Sequence, residues 1–308
     1  MKRKEHITMK RSKTLKKAIL AALAVYTIWG FTFLASDVAQ RFVSPFILLA
    51  YRFDLSFLIL TVPVILGKKN ISMKGKNVKP LLLLGMMEPC FYFIGEQYGL
   101  RFTNAAFSGV MIAVIPVVTL ILAAVFLKDK PSTAQWIFCL LSIAGVVVIT
   151  LSENSGGAIR FVGVLCLLLA ILTGSAYGVL SRGLKDEFDV FERTYIMQLM
   201  GALFFTSLTL IENFNDLSVI ITPLSDRSFV LSILYLAVGG SAIGYTLFNY
   251  AVSHAPMANT VIFCNLVTVL SVLTGVFILG DPFSWVSAAA LVVVLVGIWG
   301  VQRFSPAD

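Results

Sequence analysis

The sequence predicts an all-α integral membrane protein of ten transmembrane helices, built as two inverted five-helix repeats. Three observations carry this prediction. Of 308 residues, 58% are hydrophobic and only 13% charged, about half the charged share of a soluble domain. Apolar runs long enough to cross a hydrocarbon core of about 30 Å, about 20 residues as helix, recur along the whole chain. The chain also matches itself at an offset of 152 residues. Together these exclude a cytosolic enzyme, a secreted domain and a nucleic-acid binder.

The spans fall, in order, at 18–38, 43–66, 80–101, 103–127, 134–151, 160–181, 190–211, 229–253, 256–279 and 283–302. The first follows a basic tail, residues 1–17. The second opens near Pro45 and stops at Leu66-Gly-Lys-Lys-Asn-Ile-Ser, and Pro89 marks a kink in the third. The fourth, holding Pro116, stops at Lys128-Asp-Lys-Pro-Ser before the fifth begins. In the second half, Asp281 is the single charged residue between Ser228 and Gln302, so no water-soluble surface can be built there. Pro256 opens the ninth span, and Leu279-Gly-Asp-Pro separates it from the tenth. Residues 304–308 form a short second tail.

The net charge of +8 reads as orientation. With the N-terminus inside, nineteen of the 24 basic residues fall on inner segments, eight of them in the tail, and four, Arg41, Arg101, Arg160 and Arg227, fall outside. That is a strong positive-inside bias, so both termini are expected in the cytoplasm of a cell-membrane protein. Basic residues just before the first span attract anionic headgroups by about 1 kcal/mol each. The tail is not read as a cleaved signal peptide, because the apolar stretch after Lys17 is long and lacks a small-residue cleavage site. Cys90, Cys139, Cys166 and Cys264 all fall inside spans, so neither disulfides nor metal sites are expected.

The 152-residue offset aligns Leu84 with Leu236, Tyr98 with Tyr250, Ala106 with Ala258, Asp129 with Asp281 and Gly145 with Gly297. Each half, 18–151 and 160–303, therefore holds five spans, and an odd number forces the second copy to enter the membrane upside down. Inverted repeats are the construction of many secondary transporters, with the substrate site near the midplane between halves and access alternated by rocking one half against the other.

Tyr26-Thr-Ile-Trp-Gly-Phe-Thr-Phe, Ala50-Tyr-Arg-Phe, Tyr98-Gly-Leu-Arg-Phe-Thr-Asn-Ala-Ala, Ile115-Pro-Val and Phe126-Leu-Lys-Asp-Lys resemble the drug/metabolite transporter superfamily, EamA type. The resemblance covers nearly the whole chain and implies a ten-helix exporter of small metabolites or drugs. Asp129 and Asp281 stand where that family usually has Glu. The resemblance also implies a cavity formed by spans one, three, four, six, eight and nine. That directs attention to Trp29, Tyr92, Glu96, Gln97, Tyr177, Tyr245, Asn249 and Asn265 as substrate contacts, with Tyr26 read as an interface anchor. Trp136, Trp285 and Trp299 are read as lipid-facing.

Ionisable groups inside a membrane are costly and therefore functional candidates. Here they are Arg52, Asp54, Glu88 and Glu96. Counted from the outer ends of their spans, Arg52 lies roughly 13 Å and Glu96 roughly 8 Å deep, which predicts an ion pair of Arg52 with Glu96 or with Asp54. Arg52 is read as a structural tie. Glu88 lies deeper and has no evident cation. It fits a proton carrier and, equally, a neutral acid bonded to a backbone carbonyl opened by Pro89. Glu88, Glu96 and Asp54 are the proton-coupling candidates. The three GxxxG pairs, Gly95/Gly99, Gly174/Gly178 and Gly240/Gly244, barely exceed chance as a packing signal.

The expected activity is secondary active export of a zwitterionic or cationic metabolite, such as an amino acid or amine, with proton coupling open. Import or exchange of another metabolite (a nucleobase or vitamin) is the alternative. An intramembrane enzyme is disfavoured because His6 and His254 both lie off the midplane. No cofactor is expected. The expected partners are a small-molecule substrate, the lipid bilayer and protons, with no nucleic acid, in a monomer or homodimer.

Overall fold

A computed structural model describes the backbone of residues 2–122, 124–125, 131–154, 159–184, 186–255 and 263–304, with side chains described there except at 2–13, 153–154, 179 and 182. The first span comprises helices α1 (Lys2–Gly30) and α2 (Thr32–Gln40), and the second is α3 (Pro45–Ile65). Ser44 caps α3 by accepting from the Ile47 amide, and Pro45 brings the fixed φ suited to a first helical position. The third span starts as α4 (Lys79–Gly85), loses regular helix over Met86–Phe91, and resumes as α5 (Tyr92–Arg101). The fourth is α6 (Ala105–Ile112) with α7 (Ile115–Leu122), and the fifth is α8 (Thr133–Asn154).

The second half repeats this order. It runs through α9 (Phe161–Leu184) and α10 (Val190–Glu212), then a short outer helix α11 (Ser218–Ile221). The eighth span is α12 (Arg227–Leu234), an irregular stretch over Tyr235–Ile243, and α13 (Gly244–His254). The ninth includes α14 (Cys264–Thr274), extended to Leu279, and the tenth is α15 (Trp285–Arg303). Among the described residues eight helices are long and apolar enough to cross a membrane. The shorter apolar helix Cys264–Leu279 is the ninth span, and the broken third span carries Glu88 and Glu96. The repeat-loop residue Asp129 and the start of the ninth span at 256–262 lie outside the described residues.

Packing follows the duplication. The fifth span lies on the tenth, the second on the seventh and the fourth on the ninth; the third packs on the sixth as the first does on the eighth. At the crossing of α8 and α15 the symmetry reaches single atoms. A Cβ on Gly145 would lie 2.7 Å from Val294 and 3.0 Å from the Ala290 carbonyl; one on Gly297 would lie 2.6 Å from the Ser142 amide and 2.8 Å from the Phe138 carbonyl. Shifted by 152, each of these contacts becomes the other. Backbone approaches of this kind are how helices associate in lipid, where no hydrophobic drive separates them from the tails.

Two GxxxG pairs are close contacts in full. Gly95 and Gly99 take α5 against α9 at the Cys166 carbonyl and Leu167, and Gly240 and Gly244 meet Thr32 and Trp29 of the first span. In the third pair Gly178 has nothing nearer than 4.0 Å. Trp136, Trp285 and Trp299 are exposed as expected of lipid-facing rings, whereas Tyr26 is buried edge-on against Trp29 and Phe248 and is not an interface anchor.

Gly297→Val, which forces side-chain volume onto the α8 backbone, is expected to destabilise the protein by about 1–3 kcal/mol, seen as a lower melting temperature in detergent. Gly178→Ala, with open space at 4.0 Å, should leave the melting temperature unchanged. Equal effects from the two would refute the crossing as the tight contact.

Candidate functional site

The third span breaks, and the eighth widens into a π-helix, at matched places. Shifting the π-helix of the eighth span, Tyr235–Ile243, back by 152 lays it over the Met86–Phe91 break of the third. Wide or irregular turns inside membrane helices free backbone groups and recur at functional sites, and interrupted segments at corresponding positions of two halves point to the binding site of a carrier. At the break Glu88 has extended backbone (φ −142°, ψ 116°) and precedes Pro89, which cannot donate to the helix.

Glu88 is buried, and Tyr245 of α13 donates its hydroxyl to Glu88 Oε1. Its partner is thus a phenol of the opposite repeat rather than a backbone carbonyl. In the π-helix of the eighth span the Gly240 carbonyl accepts from Trp29 Nε1 at 2.9 Å. Trp29 in turn packs on Tyr245 and Phe248, with centroids 5.4 and 5.3 Å apart, and Tyr177 tilts against Phe248 at 6.5 Å. Four aromatic rings from three helices therefore converge beside the Glu88 carboxyl.

Glu96 lies eight residues further along the third span, on α5, in a network internal to the first repeat. Its Oε2 accepts from Tyr92 at 2.7 Å and its Oε1 from Gln97 Nε2 at 2.9 Å, while Gln97 Oε1 accepts from Gln40. The expected Arg52 ion pair is not formed with Glu96 or with Asp54. Arg52 Nε instead donates to Ser241 of the eighth span at 2.8 Å, and its guanidinium lies 4.3 Å over the Phe93 ring. Asp54 faces the other way and accepts Thr206 Oγ1 on both oxygens. Depth along the helices was compatible with the pair; the direction of each side chain around its helix was not. Arg52 still lies within electrostatic range of both Glu88 and Glu96.

Asn249 is fully buried and donates to Thr194 Oγ1 at 2.9 Å, while Tyr177 points its hydroxyl at Met197 Sδ. Asn265 stands in the first turn of α14, is partly buried, and takes the weak Sγ donor of Cys264 at 3.7 Å. Sequence reasoning missed Thr194 and Gln198 on α10, Arg193 at its start, and Ser241. The readable signal for Thr194 and Gln198 was their i, i+4 spacing within an apolar span, which places them on one face.

Two closures join the repeats at opposite ends. On the lysine-rich face, Lys76 Nζ meets Glu192 Oε2 at 2.5 Å, the Ser72 amide donates to Glu192 Oε1, and the Asn77 amide donates to Glu187. Glu192 also completes the capping box that starts α10 with Asp189. On the other face Asp281 Oδ2 accepts the Ala106 amide at 3.0 Å, so a carboxylate of the second repeat caps a helix of the first. Burial holds the Asp281 carboxyl above its usual range, with the Ala106 N–H acting against that shift. Asp is therefore long enough for a helix-end role at this position.

The chain matches the EamA-like transporter family over residues 16–151 and again over 161–303. It is 30% identical over 286 residues to the uncharacterized transporter YcxC of Bacillus subtilis (strain 168), covering 92% of each chain. To an uncharacterized transporter of Archaeoglobus fulgidus it is 26% identical over 289 residues, covering 94% of this chain and 99% of the relative. A crystal structure of a protein 18% identical superposes with a TM-score of 0.66, covering 92% of this chain and 96% of the other, and supports the fold. Two family matches in tandem, on a fold of ten helices in two inverted repeats, establish that this chain is a multi-pass membrane transporter belonging to the EamA-like family of the drug/metabolite transporter superfamily.

Proposed function

We propose that the protein exports a small zwitterionic or cationic metabolite, an amino acid or amine, by alternating access of its two repeats, with Glu88 as the proton-coupling group. The observation that carries this reading is the Glu88 to Tyr245 hydrogen bond, which joins the broken third span to the eighth across the repeat boundary. A carboxyl so placed changes partner whenever the repeats move, whereas the oxygens of Glu96 are both engaged within the first repeat and Asp54 is held by Thr206. The rings of Trp29, Tyr177, Tyr245 and Phe248 beside it suit an ammonium, whose attraction to a desolvated ring is about 2 kcal/mol. The excess of basic residues on one face supports a cell-membrane orientation with both termini in the cytoplasm. On that orientation the Lys76–Glu192 contact is the inner closure and the Asp281 cap the outer one.

In proteoliposomes supplied with radiolabelled amino acids and amines, an imposed pH gradient is expected to drive uptake by the native protein. Glu88→Gln should lose at least about tenfold of that component, a loss of about 1.4 kcal/mol or more in driving interaction, while keeping substrate exchange. Intact pH-driven uptake in Glu88→Gln would assign coupling elsewhere.

Glu192→Gln weakens the inner closure and is expected to shift the population toward opening on the lysine-rich face. Cys90, fully buried next to the break, reports this directly. With the other three cysteines replaced by serine, its labelling by an impermeant maleimide applied from that face should accelerate about tenfold, the effect of a 1.4 kcal/mol shift. An unchanged labelling rate would mean that the contact does not gate access.

A further inference from the structure

We propose that Gln198 and Asn249 form a subsite that takes an uncharged donor–acceptor group of the substrate, a carboxamide, beside the charged and aromatic groups already described. This rests on the transport reading and adds to it the chemistry that selects among substrates.

Gln198 is completely buried, and among the described residues neither its Oε1 nor its Nε2 has a hydrogen-bond partner. The Oδ1 of buried Asn249 is in the same state. Which Asn249 atom is free follows from proton counting. The hydroxyl hydrogen of Thr194 is given to the Val190 carbonyl at 2.8 Å, so Thr194 Oγ1 can only accept from Asn249. The Asn249 amino group is therefore engaged and its carbonyl is the free end.

Position places both amides at the polar core. Thr194, Gln198, Gly201 and Phe205 share one stripe of α10 at i, i+4, i+7 and i+11. Along this stripe Thr194 meets Asn249, Gly201 faces Pro89 and Phe53, and Phe205 stacks on Phe53. Gln198 lies between these levels, next to the break that carries Glu88, and its neighbour Met197 touches Tyr177. Leaving buried amide atoms unpaired costs about 1–3 kcal/mol each, and a site that keeps such groups for a ligand discriminates strongly against analogues unable to bond them. Gln198 offers a donor and an acceptor, which a carboxamide matches with two bonds, and Asn249 adds an acceptor for its second N–H. By contrast the oxygens of Glu96 are already engaged and Glu88 Oε1 is held by Tyr245, so the free capacity on α10 and α13 is neutral in character.

The test uses purified full-length protein with labelled L-glutamine and L-methionine, two amino acids of similar size that differ in the side-chain amide. Equilibrium binding is expected to favour glutamine about tenfold, and Gln198→Met should bring the ratio near one. Gln198→Leu, which removes the donors and the acceptor together, gives the same comparison if the methionine variant does not fold. A ratio near one in the native protein, a ratio unchanged in both variants, or binding of neither amino acid would overturn the inference; an unchanged ratio would assign Gln198 to structural water. Counterflow of the same probes in proteoliposomes separates the two claims. Binding that depends on Gln198 without counterflow defeats the transport reading alone, and counterflow without Gln198-dependent preference defeats this inference alone.

Discussion

The rest of the structure depends on the requirement that a backbone polar group within lipid find its partner inside the protein. A regular helix meets it alone, but the third span breaks at Glu88 and the eighth widens into a π-helix. The Gly240 carbonyl in the π-helix accepts from Trp29 of the first span, and Glu88 at the break is met by Tyr245 of the eighth. Each bond comes from another helix, and both cross the repeat boundary. Neither half can therefore be completed alone, and motion of one half against the other must exchange these bonds. The polar core is in this sense a consequence of these departures from regular helix, and the glycine contacts around it let the backbones come close enough to make the exchanges.

Arg52 is buried without a touching carboxylate. It has one bond to Ser241, the face of Phe93, and two acids held at a distance by their own donors, while its Nη1 has no hydrogen-bond partner among the described residues. Guanidinium is weakly hydrated and planar, so stacking offsets much of its desolvation. Spreading the balance of charge in this way keeps Glu88 and Glu96 from being locked to a single cation. A direct pair would have held the second span to the third inside one repeat, while the Ser241 bond ties the second span to the eighth.

How much of this was legible in the sequence differs by level. The ten spans were readable because hydropathy and backbone satisfaction act over about twenty residues and leave a strong mark. The inversion was readable from the 152-residue offset, since Gly145 and Gly297 had to match for the crossing they make. The Arg52 to Glu96 pair was misread because depth was counted and direction around the helix was not. Tyr26 was misplaced for a related cause, as its packing against Trp29 leaves no local pattern. Gln198 was passed over because one amide in an apolar span carries no motif, and its importance emerges only once Thr194, Asn249 and Pro89 are seen around it.

The offset also shows where the two halves differ in chemistry. Gln97 corresponds to Asn249 and Phe93 to Tyr245, so amide and aromatic groups occur on both sides. Glu88 and Glu96 correspond to Gly240 and Phe248, so acids occur on one side alone. A carrier with fully equivalent halves would present the same groups to substrate from either end of its cycle. Here amides and aromatic rings are common to both repeats, while the acids belong to the first and meet the second at the Glu88 to Tyr245 bond. A rocking motion that parts this bond changes the partners of a carboxyl without needing to disturb the Gln40–Gln97–Glu96–Tyr92 network inside the first repeat. The scaffold repeats across the two halves while the acids at this level do not, so the two halves are not electrostatically equivalent.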